Sequence, residues 1–325
     1  METKLYIPNT LLEAITYYSD EQNCFKTLVE MRWPHGVIIC PHCDSMKVTL
    51  FKTRPLFKCN RCKKQFSVKV GTIFEDSPLS LTKWLPAVWL LGGAKNGISS
   101  CELARSLGVC QKTAWFMLHR IRHAMQAGTF EKMKGTVEAD ETYIGGTERN
   151  KHEHKKLKAG RGTVGKVAVQ AFLERSDGER PSRARTKMLP ETSGLVMKSN
   201  VREHVLPGSN LYTDGALQYK GLSSEFVHQF VDHAIQYVCG TVHTNSLENY
   251  FSLLKRCLRG TYVAVEPYHL HRYCDEESFR FNERKDDDAG RFVKILQMVS
   301  GKRLTYDTLT SSYADYYQQI MPWFV

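Results

Sequence analysis

The chain has 325 residues and a formal net charge of +11, from 45 Lys and Arg against 34 Asp and Glu. This length allows two or three domains, at least one of them with a sizeable core, and the charge favours a polyanionic partner, DNA or RNA. The first residues lack the charged start and apolar run of a secretory signal, and the longest apolar stretch, 84–94, is too short to span a bilayer. We therefore expect a cytoplasmic protein without membrane contacts.

Two close pairs of cysteines follow a stretch, 10–31, that is predicted to form one or two helices. Cys40 and Cys43 are the first pair, Cys59 and Cys62 the second, and fifteen residues separate the pairs, as in a zinc ribbon. Two tight turns can bring four thiolates into a closed tetrahedral shell, so we expect one structural Zn²⁺. The alternative is four unrelated buried cysteines. The remaining cysteines are interpreted as reduced, mostly buried thiols: Cys24, Cys101, Cys110, Cys239, Cys257 and Cys274.

Downstream of the ribbon, the pattern predicts a helix over 81–91 and then a helix-turn-helix. Ser100 is predicted to cap its first helix, Gly108 to form the turn, and the second helix to run over 111–122. The expected inward-facing set is Leu103, Ala104, Leu107, Val109, Ala114 and Leu118.

Positive charge distinguishes both of these segments. The ribbon carries eight Lys and Arg between 47 and 69, which favours contact with nucleic acid. The second helix of the helix-turn-helix is free to enter a major groove and offers Lys112 and Arg120 as DNA contacts. The alternative is an ordinary helical hairpin inside a bundle. The basic ribbon beside it favours DNA binding.

From residue 136 onward, strands alternate with helices, which predicts an α/β domain with a mixed sheet. Strands are predicted over 136–140, 165–174, 183–189 and 210–214, and helices over 190–205 and 246–258. The loop 148–166 holds seven Lys and Arg against two Glu. A solvated loop is one interpretation, and a contact with a phosphate backbone is the other.

Three carboxylates stand out in this region. Asp140 and Asp214 each end a predicted strand, and Glu248 lies on the polar flank of the 246–258 helix, together with Asn245, Ser252, Lys255 and Arg259. Clustered carboxylates suit Mg²⁺, and two such ions can drive phosphodiester chemistry. A strand-ending aspartate can instead cap a turn. Glu138 and Glu141 are rivals of Asp140, with Glu138 on the same face of the strand and Glu141 on the other.

Several motifs in a fixed order resemble the ISXO-like group of bacterial insertion-sequence transposases, within the RNase H-like DDE family. The similarity runs from about residue 18 to 285. It is carried by RWPHGVIICPHC, KCNRCKKQFSVKVGTIF, WLPAVWLL, VEADETYIGG, LYTDGALQY, HTNSLENYFSLLKRCLRGTY and FRFNER.

The resemblance implies roles for particular residues. Asp140 and Asp214 are the first and second catalytic aspartates, and either Glu248 or Asn245 is the third metal-site residue. We expect Glu248, because a charged oxygen gains more from two Mg²⁺ ions than a neutral amide. Lys255 resembles the basic residue that holds DNA near the metals, and we expect Arg259 to bind DNA beside it. Mn²⁺ is expected to substitute for Mg²⁺.

We therefore predict a multidomain DNA transposase. Its expected parts are a helix and zinc ribbon over 1–70, an all-α helix-turn-helix region over 71–130, an α/β RNase H-like catalytic domain over 131–285 and a tail over 286–325. It is expected to bind terminal inverted repeats of double-stranded DNA, cleave 3′ ends and transfer strands as a homo-oligomer in the bacterial cytoplasm, associated with the nucleoid. The alternative is a DNA-binding regulator without chemistry.

Overall fold

The computed structural model describes residues 5–126, 131–146, 163, 165–231 and 242–311. Most of the predicted basic loop, Cys239 and the aromatic end of the tail lie outside these residues. The chain forms two compact units, one built from residues up to 126 and from 283 onward, the other from 127–282. None of the described helices combines the length and low polarity that crossing a bilayer requires.

The first unit begins with helices and the small sheet of the ribbon. Asp20 ends the turn between α1 and α2, where its side chain accepts a hydrogen bond from the Gln22 N–H at 2.8 Å, so the predicted 10–31 segment forms two helices. The three ribbon strands are antiparallel, in the order β1-β2-β3. The elements are α1 (Leu11–Tyr18), α2 (Glu21–Arg32), β1 (Val48–Leu50), β2 (Leu56–Cys59), β3 (Gln65–Ser67), α3 (Leu81–Gly93), α4 (Ser100–Leu107) and α5 (Gln111–Met125).

The connection between α4 and α5 follows the predicted turn with one correction. The residue that caps α4 is Ser99, one position before the predicted Ser100, and its Oγ accepts from the Glu102 N–H at 3.1 Å. Gly108 ends α4 with φ +61°, a left-handed conformation that glycine adopts without steric cost. Leu103 and Ala114 are fully buried, as expected, whereas Leu107 and Val109 are only half-buried.

The second unit contains the predicted mixed sheet, which is confirmed. Its strand order is β6-β5-β4-β7-β8. The pairs β4–β5 and β5–β6 are antiparallel, and the pairs β4–β7 and β7–β8 are parallel. The elements are β4 (Thr136–Ile144), β5 (Val167–Glu174), β6 (Arg183–Leu189), α6 (Gly194–His204), β7 (Asn210–Asp214), β8 (Val227–Val231), α7 (Asn245–Cys257), a π-helical turn (Leu258–Tyr262) and α8 (Leu270–Asn282).

Helices cover both faces of this sheet. On one face, Val137 and Ala139 of β4 pack with Met197 and Val201 of α6. On the other, the core contains Ala171 and Leu173 of β5, Leu247 and Tyr250 of α7, and Phe281 of α8. Alternate residues of a strand point to opposite faces. Residues 138 and 140 therefore face α7, while 137, 139 and 141 face α6.

After α8 the chain returns to the first unit as α9 (Asp288–Gln297) and α10 (Tyr306–Thr310). Phe292 is fully buried, with its ring centroid 5.1 Å from that of Trp89 in α3 and 5.5 Å from that of Tyr18 in α1. The Lys302 Nζ donates to the carbonyl of Ala124 at 2.8 Å, near the end of α5. The segment from 283 to 311 is thus part of the core of the first unit.

Candidate functional site

The four cysteines of the ribbon form a site with the dimensions of a zinc centre. Their ligand atoms all lie within 4.8 Å of one another. The Sγ atoms of Cys40 and Cys62 are 3.7 Å apart, and those of Cys43 and Cys59 are 3.6 Å apart. Four sulfurs bound at about 2.3 Å in a tetrahedron are separated by about 3.8 Å. The donor set therefore fits one Zn²⁺ in a closed shell.

Two equivalent turns present these thiols. In each turn the N–H of the first cysteine donates to a carbonyl five residues later, Cys40 to Ser45 and Cys59 to Lys64, both at 3.0 Å. The residue after the second cysteine is left-handed in both cases, Asp44 at φ +55° and Lys63 at φ +63°. The Cys62 N–H also points at the Cys59 Sγ, at 3.5 Å. This hydrogen bond is the largest of several that together lower the pKa of the Cys59 thiol to about 6.

The two predicted aspartates lie side by side in the sheet of the second unit. Strands β4 and β7 are parallel, with Glu138 paired to Tyr212, so two residues further along Asp140 is level with Asp214 and faces the same side. Asp214 ends β7, as expected. Asp140 does not end its strand, because β4 continues to Ile144. Among the described residues, β4 pairs with β7 no further along than Glu138 with Tyr212.

Helix α7, which carries Glu248, is attached to β4 through a buried carboxylate. Glu138 is 0% exposed and accepts hydrogen bonds from the Leu247 N–H at 2.9 Å and from the Arg175 Nε at 2.6 Å. Arg175 in turn donates to the carbonyl of His243 at 2.8 Å. A carboxylate at the first turn of a helix satisfies a free N–H group and complements the helix dipole. Glu138, a rival of Asp140, therefore has a structural position.

An open cavity of about 520 Å³ lies where β4 and α7 meet. Its lining includes acidic, basic and small polar residues and one aromatic residue. The lining residues are Asp140, Glu141, Thr142, Glu248, Phe251, Ser252, Lys255, Arg256 and Arg259. Asn245 is exposed at the first position of α7 and is not in this lining.

The acidic groups repel one another. Burial and the negative charge of Asp214 raise the pKa of Asp140 from its usual 3.8 to about 8, and Glu141 and Glu248 contribute. Burial and the charge of Asp214 also raise the pKa of Glu141. Among the described residues, no three carboxylates lie as close to one another as the ligand atoms of the four cysteines, which are all within 4.8 Å. Carboxylate oxygens are ligands that Mg²⁺ and Mn²⁺ prefer, and either ion would offset the repulsion between the negative charges at this cavity.

The cations of the cavity lie along α7 and the π-helical turn that follows it. Lys255 is half-buried, and its pKa is lowered by burial and by the positive charge of Arg259, although Asp140 opposes this change. Arg256 and Arg259 are exposed. This arrangement places positive charge beside the acidic group, where a phosphate could bind both a metal ion and the cations.

The two predicted contacts on α5 differ in exposure. Lys112 is exposed near the start of the helix, with its Nζ 4.8 Å from the ring centroid of Tyr306. Arg120 is only 4% exposed, and its Nε donates to the carbonyl of Leu304 at 3.0 Å. The expectation that Arg120 contacts DNA is therefore corrected, because its guanidinium group stabilises the fold of the first unit.

Sequence reasoning missed Arg175 and Arg256. Arg256 follows Lys255 directly and could have been found from the basic end of the predicted helix. Arg175 lies 37 positions from its partner Glu138. No local pattern connects these two residues, because their contact depends on the pairing of β4 with β5.

Comparison with known proteins identifies the family. Residues 132–282 match the ISXO2-like transposase domain, and residues 19–65 match the transposase zinc-ribbon domain. A protein of a transposable element from Halobacterium salinarum is 30% identical over 261 residues, which cover 75% of this chain and 85% of that protein. The chain belongs to the ISXO2-like transposase family. A transposase-like protein from Haemophilus influenzae is 29% identical over 117 residues, covering 36% of this transposase and 93% of that protein.

Replacement of one zinc ligand tests the metal centre. We expect the wild-type transposase to contain one zinc per chain and Cys59→Ser to lose it, because binding of the metal to four thiolates supplies much of the folding free energy of so short a segment. Metal content is measured by mass spectrometry and ribbon order by amide hydrogen exchange. The second unit should keep its protection. Cys101→Ser, at an exposed cysteine, is the control, and stoichiometric zinc in Cys59→Ser would contradict the assignment.

A substitution at Glu138 tests the attachment of α7. Glu138→Gln removes one charge from a pair in which the side chains of Glu138 and Arg175 are 0% and 20% exposed. The free energy of unfolding should fall by about 3 kcal/mol, because Arg175 is left without its counter-charge. Urea denaturation measures this change. Glu203→Gln breaks an exposed pair with Lys187 and should change stability by less than about 0.5 kcal/mol. Equal effects of the two variants would refute the structural role.

The opposite result is expected at Asp140, two residues away. A carboxyl group whose pKa is raised on folding destabilises the folded state at pH values above its unfolded pKa. Metal-free Asp140→Asn should therefore match the wild type near pH 4 and become more stable as the pH rises to about 8. At pH 9 the gain should be on the order of 2 kcal/mol, since water reaching the half-buried carboxylate screens part of the effect. Thermal unfolding with the ribbon zinc retained and no Mg²⁺ or Mn²⁺ added measures it, and a destabilised variant at pH 9 would exclude this electrostatic account.

Proposed function

We propose that this transposase binds the terminal inverted repeats of its insertion sequence, cleaves their 3′ ends and transfers them into target DNA. The observation that carries the proposal is the cavity beside α7, which Asp140 and Glu248 line together with Lys255, Arg256 and Arg259, while Asp214 lies level with Asp140. The carboxylates can share divalent metal ions, and the cations can bind phosphates. Together these groups suit chemistry on a phosphodiester backbone.

The sheet supports an RNase H-like catalytic domain. Three antiparallel strands, β6-β5-β4, continue into two parallel strands, β7-β8, with α6 on one face and α7 and α8 on the other. In this arrangement the central strand β4 supplies the first aspartate and its parallel neighbour β7 the second. A helix packed on the same face supplies the third carboxylate.

We assign the metal site to Asp140, Asp214 and Glu248, which would hold two Mg²⁺ ions or Mn²⁺ in their place. Bound there, the ions would activate the attacking oxygen and stabilise the leaving oxygen of the phosphodiester. Glu248 is preferred to Asn245 because it lines the cavity and contributes to the raised pKa of Asp140. Asn245 is assigned a contact with DNA or with the water shell of the metal.

The basic side chains of the cavity are assigned to the DNA backbone. Lys255, half-buried beside Asp140, holds the phosphate nearest the reacting bond, and Arg256 and Arg259 hold its neighbours. These charges position the scissile phosphodiester without a covalent bond between protein and DNA. In the first step water attacks the scissile phosphodiester, and the 3′-oxygen of the element leaves as a hydroxyl. In the second step this hydroxyl attacks a phosphodiester of target DNA, whose own 3′-oxygen leaves.

Recognition of the element ends is assigned to the first unit. The zinc ribbon carries the eight cations between 47 and 69, and Lys112 lies exposed near the start of α5. A helix-turn-helix formed by α4 and α5 would place that end of α5 in a major groove. Two ends must be held together for strand transfer, so we propose a homo-oligomer, acting on DNA in the nucleoid.

Two variants of α7 test this function. Glu248→Gln should lower strand transfer of labelled end DNA by at least about 100-fold, because it removes a charged metal ligand, while specific end binding in a gel-shift assay stays near wild type. Asn245→Ala, one helical turn away, should lower strand transfer by less than about tenfold. A near-normal Glu248→Gln beside an inactive Asn245→Ala would reassign the third ligand. End binding without any strand transfer by the wild type would favour a regulator over an enzyme.

A further inference from the structure

Glu141 reaches the candidate metal cavity although it faces the opposite side of the sheet from Asp140. Its neighbour on β7 would be residue 215, but β7 ends at Asp214, so within the part of the chain that the structure describes no strand pairs with this side of β4 at Glu141. At this edge the Glu141 N–H donates to the Asp140 Oδ1 at 2.7 Å. Glu141 is one of the residues that line the same cavity as Asp140 and Glu248.

A buried chain of hydrogen bonds holds the Glu141 carboxylate on the α6 face of the sheet. The Tyr219 hydroxyl, in a side chain that is 0% exposed, donates to the Glu141 Oε2 at 3.0 Å. The Gln170 Nε2 donates to the Tyr219 oxygen at 3.3 Å, and the Asn200 Nδ2 donates to the Gln170 Oε1 at 3.0 Å. Gln170 is also anchored by its bond to the carbonyl of Met197 at 3.3 Å.

The direction of these bonds matters. Each amide or hydroxyl donates toward Glu141, so the chain ends on an acceptor and stabilises a carboxylate with a fixed orientation. Among the described residues, the Glu141 Oε1 accepts no hydrogen bond. A chain that served only to satisfy buried polar groups could end inside the core. This one ends on a group at the cavity wall, with one oxygen left for a ligand there.

We propose that Glu141 is a fourth carboxylate of the metal site and that Tyr219, with Gln170 behind it, is its positioning residue. This inference rests on the proposed function, because it concerns the same divalent ions. Glu141 approaches them from the α6 face of the sheet, whereas Asp140 and Glu248 approach from the α7 face. Ligands that approach from both faces of the sheet can surround an ion at the edge of β4, whereas ligands from one face leave its other side without protein ligands.

Binding of Mn²⁺ to the full-length protein, measured by calorimetry without DNA, tests the inference. Glu141→Gln should weaken Mn²⁺ binding by about 10- to 100-fold, and Tyr219→Phe by about tenfold, because loss of an outer partner misorients the ligand. Tyr219→Phe should have no further effect in the Glu141→Gln protein. If Tyr219 had a purely structural role, the effect of Tyr219→Phe would not depend on whether Glu141 is present. Glu141→Gln preserves folding, because Tyr219 can still donate to the amide oxygen.

Matched variants separate the outcomes. Tyr143→Phe removes a hydroxyl from a residue packed against the same core, and Glu203→Gln neutralises an exposed carboxylate of the same unit. Both should bind Mn²⁺ like the wild type. Wild-type affinity in Glu141→Gln, together with lost affinity in Asp140→Asn and Asp214→Asn, would overturn the inference and leave the proposed function standing. Wild-type affinity in all of these variants would refute the metal site itself.

Discussion

The contact between Glu138 and the first turn of α7 is the constraint on which the candidate site depends. Glu138 lies two residues before Asp140 on the same face of β4, and the N–H group that it accepts belongs to Leu247, directly before Glu248. One hydrogen bond therefore sets the separation between a strand carboxylate and a helix carboxylate. Arg175 neutralises Glu138, so the anchor adds little negative charge to the site that it positions.

Two acidic residues of one strand thus have opposite electrostatic situations. Glu138 has a cation and a helix N-terminus as partners, whereas the pKa of Asp140 is raised by burial and by the negative charges of Asp214, Glu141 and Glu248. The fold stabilises the first charge and opposes the second. A site that carries uncompensated charge reduces stability, and a bound cation would offset that cost. The stability that the metal-free protein loses through this repulsion would be regained when a cation binds.

The zinc site of the ribbon and the proposed site of the divalent metal ions differ in how the sequence encodes them. At the ribbon, each pair of thiols comes from a turn of a few residues, and the same turn geometry occurs twice. At the proposed site, the carboxylates come from β4, from its neighbour β7 and from α7, which are far apart in the sequence. The first site is local in sequence, and the second requires the whole sheet.

The position of α9 also depends on contacts between distant parts of the chain, because Phe292 joins a core with Tyr18 and Trp89.

Local patterns in the sequence determined the zinc ribbon, the strands 183–189 and 210–214, the division into helices and a mixed sheet, and the family. Cysteine spacing, alternation of apolar residues and turn-forming glycines act over short distances, so they can be recognised without a fold. Only the tertiary structure decided that Arg120 is buried, that Asp140 lies inside its strand and that Glu138 is an anchor. Burial, strand ends and ion pairs depend on which distant segments pack together, and no local pattern specifies that packing.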